Sequence, residues 1–80
     1  MVENKYQLFV TEDCPRCKEL MKFMQNSKLN TEIIDVASKD GFLLAQKQAI
    51  KKIPSVVLLD SDDKAVDIFF TLKEIQGLFN

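Results

Sequence analysis

The chain is 80 residues long, 46% hydrophobic and 29% charged, with a formal net charge of -1, two cysteines, and neither histidine nor tryptophan. This is the balance of one small globular domain spanning residues 1–80, not of a disordered segment. With no basic excess there is no field to gather nucleic acid or an anionic membrane, so neither is an expected partner. The opening "MVENKYQLFV" holds neither the apolar core of a signal peptide nor a span of about 20 apolar residues, so a cytoplasmic protein is expected.

Lys5–Val10, "KYQLFV", is rich in apolar and aromatic residues and is followed by turn-type polar residues, predicting a strand buried on both faces. A helix is expected from Pro15, which suits a first helical turn, with Cys17, Leu20, Met21 and Met24 on one face and a fade at "QNSKLN". Thr31–Val36, "TEIIDV", predicts a second short strand. Ser38 is then an N-cap for a helix through "KDGFLLAQKQAI", with Phe42, Ala45, Ala49 and Ile50 recurring at helical spacing and Gly41 weakening its start. "IPSVVLLD" and "AVDIFF", separated by the polar "SDDK", predict an antiparallel hairpin. Phe69 and Phe70 occupy adjacent strand positions, so one belongs in the core and the other outside it. Thr71 and Glu74 have capping-box spacing, and Leu72, Ile75 and Phe79 form the stripe of a last helix. The order β-α-β-α-β-β-α, with a right-handed parallel crossover followed by a hairpin, predicts an α/β fold: a four-stranded mixed sheet with helices on both faces.

Both cysteines lie in "TEDCPRCKEL". Cys14 falls at the handover from strand to helix, where unpaired N–H groups and the positive end of the helix dipole favour an anion. Its thiol is therefore expected to ionise more readily than a free one, with Arg16 and Lys18 assisting and Glu12 and Asp13 opposing. Cys17, one turn on and in line with Leu20 and Met24, is expected to be less exposed. That asymmetry suits an attacking Cys14 and a resolving Cys17 in a dithiol exchange, with Pro15 fixing the turn between them. A zinc site normally takes four ligands, and two cysteines without histidine supply half of one; a metal module would share its zinc or iron–sulfur cluster across a dimer or complete it with a small thiol. Inert core thiols account for Cys17 but not for Cys14 in its polar turn. The acidic "DSDDKAVDIFFT" starts like a calcium loop but carries Lys64, Ala65 and Thr71 where an oxygen ligand, glycine and glutamate are needed.

"CPRC" after the first strand, the element order, and "KIPSVVLL" at Lys52–Leu59 together resemble the thioredoxin-fold family, specifically its glutaredoxin-like branch, from Lys5 to Phe79. The resemblance implies a thiol–disulfide oxidoreductase that reduces disulfides in proteins or small thiols, with Cys14 and Cys17 catalytic. It also implies a cis Pro54 facing the cysteines and presenting the backbone of Ile53 to a bound peptide or glutathione chain. Without the family, a proline opening a strand is simply a tolerated first position. Glutaredoxins usually have a glycine pair, a polar residue and an aspartate before the last helix; Phe69, Phe70, Thr71 and Leu72 stand there instead. Arg16, Lys51, Lys52 and the N–H groups near Thr71 remain to meet the charged groups of glutathione. The implied partners are a disulfide-containing protein and a reductant, glutathione as co-substrate or a thioredoxin reductase, acting on a monomer with no tightly bound cofactor and no metal. A redox-inactive adaptor that keeps the fold for protein binding is the further alternative.

Overall fold

The computed structural model describes residues 5–27 and 30–79. Its elements run β1 Lys5–Val10, α1 Pro15–Asn26, β2 Thr31–Asp35, α2 Lys39–Lys47, β3 Ser55–Leu59, β4 Ala65–Phe69 and α3 Leu72–Phe79. The sheet order is β2-β1-β3-β4. β1 pairs parallel with β2 and antiparallel with β3, and β3 pairs antiparallel with β4. This is the expected four-stranded mixed sheet, with β1 interior to it.

Alternation along the strands sorts side chains to two faces. Tyr6, Leu8, Val10, Val56 and Phe69 pack with Cys17, Leu20 and Met24 of α1 and Ile75 of α3. Phe9, Ile34, Val57 and Leu59 pack on the other face with Ala45 of α2. Leu8 and Phe9 are both fully buried, as a strand covered on both faces requires. Phe69 is the core member of its pair and Phe70 is half-buried outside it. The side chain of Phe79, expected on the α3 stripe, lies outside the described residues.

α2 departs from its expected course. Its inward-facing residues are Gly41, Leu44 and Ala45, whereas Phe42 is 53% exposed. Gly41 sets that rotation, since a methyl group built on it would overlap the carbonyl of Asp35 at the end of β2. The glycine expected to weaken the helix is what lets it approach the sheet. Ser38 caps as expected, accepting from Gly41 N–H at 3.0 Å. The helix ends at Lys47 rather than running on to Ile50. Ala49 takes a left-handed φ of 56°, its N–H donates to Gln46 O at 3.1 Å, and Ile50 N–H donates to Ala45 O at 2.9 Å. These are the two bonds of a Schellman motif, with alanine at the position that favours glycine and Ile50 packed against the core that holds Ala45. The apolar spacing of Ala49 and Ile50 therefore belongs to the cap and not to the helix.

The hairpin turn contains Asp63 at φ 60°. Asp60 organises it, its carboxylate accepting from Asp62 N–H at 2.8 Å and Lys64 N–H at 3.0 Å. Beyond the turn the register shifts between Leu58 and Leu59, which face Asp67 and Ala65, so Val66 is the extra residue of a bulge and stands 60% exposed. No helix among the described residues is long and apolar enough to cross a membrane.

Two opposite outcomes follow for the glycines. Gly41→Ala lowers stability by roughly 1–3 kcal/mol, because the clash is with backbone. Gly77→Ala, with nothing within 4 Å of the added methyl group, raises it by up to about 1 kcal/mol. Thermal denaturation of both variants reads the pair. Ala49→Gly relieves the left-handed alanine and raises stability by about 1 kcal/mol, measured as a shift of the urea midpoint at unchanged slope.

Candidate active site

β1 ends at Val10, and four residues carry the chain to the first turn of α1. Cys14 is itself the N-cap, with extended backbone at φ -127° and ψ 99°, and Pro15 occupies the first helical position. The hydrogen-bond acceptor that serine or aspartate usually supplies there is the cysteine sulfur: Cys17 N–H donates to Cys14 Sγ at 3.2 Å. The first turn holds no acidic side chain, so no carboxylate competes within it for the positive end of the dipole.

Cys14 and Cys17 are joined by a disulfide, with Cα atoms 5.2 Å apart. Their surroundings differ as the sequence implied. Cys17 is 1% exposed and belongs to the core beneath α1, whereas Cys14 is partly exposed at its margin. One sulfur stays near solvent and the other is shielded by its own helix. Among the described residues, no group of three cysteine, aspartate or glutamate side chains comes together as a metal-binding set.

The remaining sequence-predicted residues converge on the same end of the sheet. Phe9 pairs with Ser55, so Pro54 lies level with Val10, where the chain leaves β1 for Cys14. The Ile53–Pro54 peptide bond is cis. Pro54 is buried, and Ile53 is half-buried against the cores on both faces. Ser55, fully buried, donates its hydroxyl to Lys52 O and closes the loop before β3. Lys51 and Lys52 are exposed on that loop, as is Arg16 on the first turn of α1.

Thr71 caps α3, its Oγ1 accepting from Glu74 N–H at 3.2 Å. The reciprocal arm of the capping box lands one residue early: Glu74 Oε2 accepts from Phe70 N–H at 3.4 Å, not from Thr71. Phe70 is thereby tied to α3, and Lys52 Nζ stands 5.6 Å from its ring centroid. Arg16, Leu20, Phe70, Thr71, Leu72 and Lys73 line a cleft of about 230 Å³ between the first turns of α1 and α3. Sequence reasoning missed Lys73, Ser55 and the pairing of Lys52 with Phe70. Only the adjacency of Phe69 and Phe70 hinted that an aromatic ring would stand outside the core.

These features describe a thioredoxin fold with a disulfide-forming CxxC pair at the strand-to-helix junction. No protein-family profile matches the sequence, and no curated protein sequence does. Solved structures match throughout the chain. A variant of the thioredoxin-like protein BC3987 is 23% identical with a TM-score of 0.67, covering 94% of this chain and 99% of its own. Thioredoxin 1 of Thermosipho africanus is 21% identical with a TM-score of 0.71, covering 94% and 89%. Chlamydomonas reinhardtii thioredoxin f2 is 22% identical with a TM-score of 0.74, covering 98% and 77%. At these identities the likeness is one of fold.

The α3 cap provides the local test. Thr71→Ala removes the acceptor for Glu74 N–H and lowers stability by about 1 kcal/mol. Amide hydrogen exchange localises that loss to α3 and the residues just before it.

Proposed function

We propose that this protein is a thiol–disulfide oxidoreductase of the glutaredoxin-like type, working through both cysteines. The observation that carries the reading is the hydrogen bond from Cys17 N–H to Cys14 Sγ, with the sulfur at the N-cap of α1. In the reduced protein that N–H and the helix dipole stabilise negative charge on Cys14, which makes it the nucleophile. No histidine is needed as a base.

The Cys14 thiolate attacks one sulfur of a substrate disulfide, forming a mixed disulfide and expelling the other sulfur as a thiolate, which takes a proton from water. Cys17 then loses its proton and attacks Cys14 Sγ. The second substrate thiol leaves, and the Cys14–Cys17 disulfide remains. Two electrons pass from the dithiol to the substrate. Two more, from glutathione or from a dithiol reductase, restore the protein. The buried position of Cys17 suits a thiol that meets only its neighbour. Pro15 holds the turn between them, and Ile53, beside Pro54, offers its backbone to the substrate chain in strand-like pairing. Arg16, Lys51 and Thr71 complete the rim. A reductase as electron donor has a parallel among the structural neighbours, where thioredoxin f2 is seen in complex with ferredoxin:thioredoxin reductase.

Cys17→Ser is expected to accumulate a mixed disulfide through Cys14, while Cys14→Ser traps nothing. The Cys14 thiol is expected to titrate below the value of about 8.5 for a free cysteine. Mass spectrometry of the trapped species and thiolate absorbance against pH check both statements. A Cys17→Ser protein that traps no partner, with Cys14 titrating as an ordinary thiol, overturns the reading. Supplying glutathione with its reductase, or a thioredoxin reductase, to the oxidised protein identifies which system returns the electrons.

A further inference from the structure

The oxidoreductase reading leaves the substrate open, and the charges around the cysteines bear on it. Two clefts flank Cys14–Cys17. One, of about 320 Å³, runs between α1 and the edge strand β2, with Val10, Met21 and Ile33 on its walls and two acids, Glu12 and Asp35, against one cation, Lys18, in its lining. The other is the cleft of about 230 Å³ between α1 and α3. There the balance is reversed. Arg16 comes from α1 and Lys73 from α3, both exposed. Lys52 adjoins through the ring of Phe70.

Two acids lie near these cations. Glu19 lines the cleft from α1, and Glu74 is bonded to Phe70 N–H. Among the described residues the ion pair found is Lys5–Asp63, at the opposite end of β1. Arg16 and Lys73 therefore share one cleft with no salt bridge to a carboxylate among the described residues, beside an apolar surface of Leu20, Phe70 and Leu72. Arg16 and Lys73 both line the cleft, so a single anion seated in it meets both. The first-turn N–H groups of α3 add the same sign of potential.

We propose that the cleft between α1 and α3 binds an acidic side chain of the substrate, so that the preferred substrate is a polypeptide with Asp or Glu beside its disulfide. The carboxylate meets Arg16 and Lys73, and the chain around it rests on Phe70 and Leu72. The cleft on the other side of the cysteines, where Glu12 and Asp35 outnumber Lys18, disfavours the reverse placement, which gives the substrate one direction across the site.

The test uses the full-length protein and two synthetic peptides with the same disulfide, flanked in one by two glutamates and in the other by two lysines. Glutathione disulfide serves as a third substrate. The acidic peptide is expected to be reduced with a kcat/KM about tenfold higher than the basic one at low salt, and the ratio to shrink as salt is added. Lys73→Glu is expected to bring the ratio close to one, whereas Lys47→Glu, on α2 and away from the cleft, leaves it unchanged. Equal rates for the two peptides overturn the proposal, as does a preference that survives both Arg16→Gln and Lys73→Glu. If Lys73→Glu slows glutathione disulfide but leaves the peptide ratio intact, the cleft serves the small thiol and the polypeptide assignment is wrong. Failure to reduce any of the three removes the oxidoreductase reading itself, and the inference with it.

Discussion

The hydrogen bond from Cys17 N–H to Cys14 Sγ depends on the rest of the structure being in place. A helix leaves its first N–H groups without intrahelical acceptors, and something at the N-cap must meet them. Here the group that does so is chemically reactive. β1, covered on both faces and flanked by β2 and β3, delivers the chain to one fixed point above the sheet. α1 can begin only there, because its stripe of Cys17, Leu20 and Met24 must descend onto Tyr6, Leu8 and Val10. Burial of Cys17 and partial exposure of Cys14 are two consequences of the same helix placement.

The loops at that end of the sheet are shaped by capping as much as by packing. The Schellman turn at Ala49 stops α2 early and turns the chain toward Lys51 and Lys52. The Ser55 hydroxyl bonded to Lys52 O then closes the approach to Pro54. On the other side, Glu74 reaches past Thr71 to Phe70 and ties that residue to α3. Lys52 and Phe70 meet because these two loops are independently pinned, not because either residue seeks a core. The residue just before α3's cap is thus an aromatic ring with Lys52 over it.

Much of the fold was legible in the residues. β1 matches its expected bounds, Pro15 and Ser38 mark helix starts, and the "SDDK" turn forms the hairpin. The reason is that these signals are local: two-residue alternation, caps and turn residues act within a few positions of one another. On α2, Ala45 lies in the core as expected but Phe42 does not, because Gly41 is a tertiary feature, its value lying in the carbonyl of Asp35 that no periodicity reveals. Ala49 was misread because an apolar residue in a left-handed cap keeps the spacing of a helical one.

The sequence by itself determined the element order, the CxxC at the first strand-to-helix junction and the asymmetry of its two thiols, since each follows from local geometry and the helix dipole. Only the tertiary structure decided which phenylalanine left the core and which lysine joined Arg16 in one cleft. Those outcomes depend on how β4 and the loop before β3 are brought alongside α1. Residues far apart in the chain share a cleft only after the sheet has set their register.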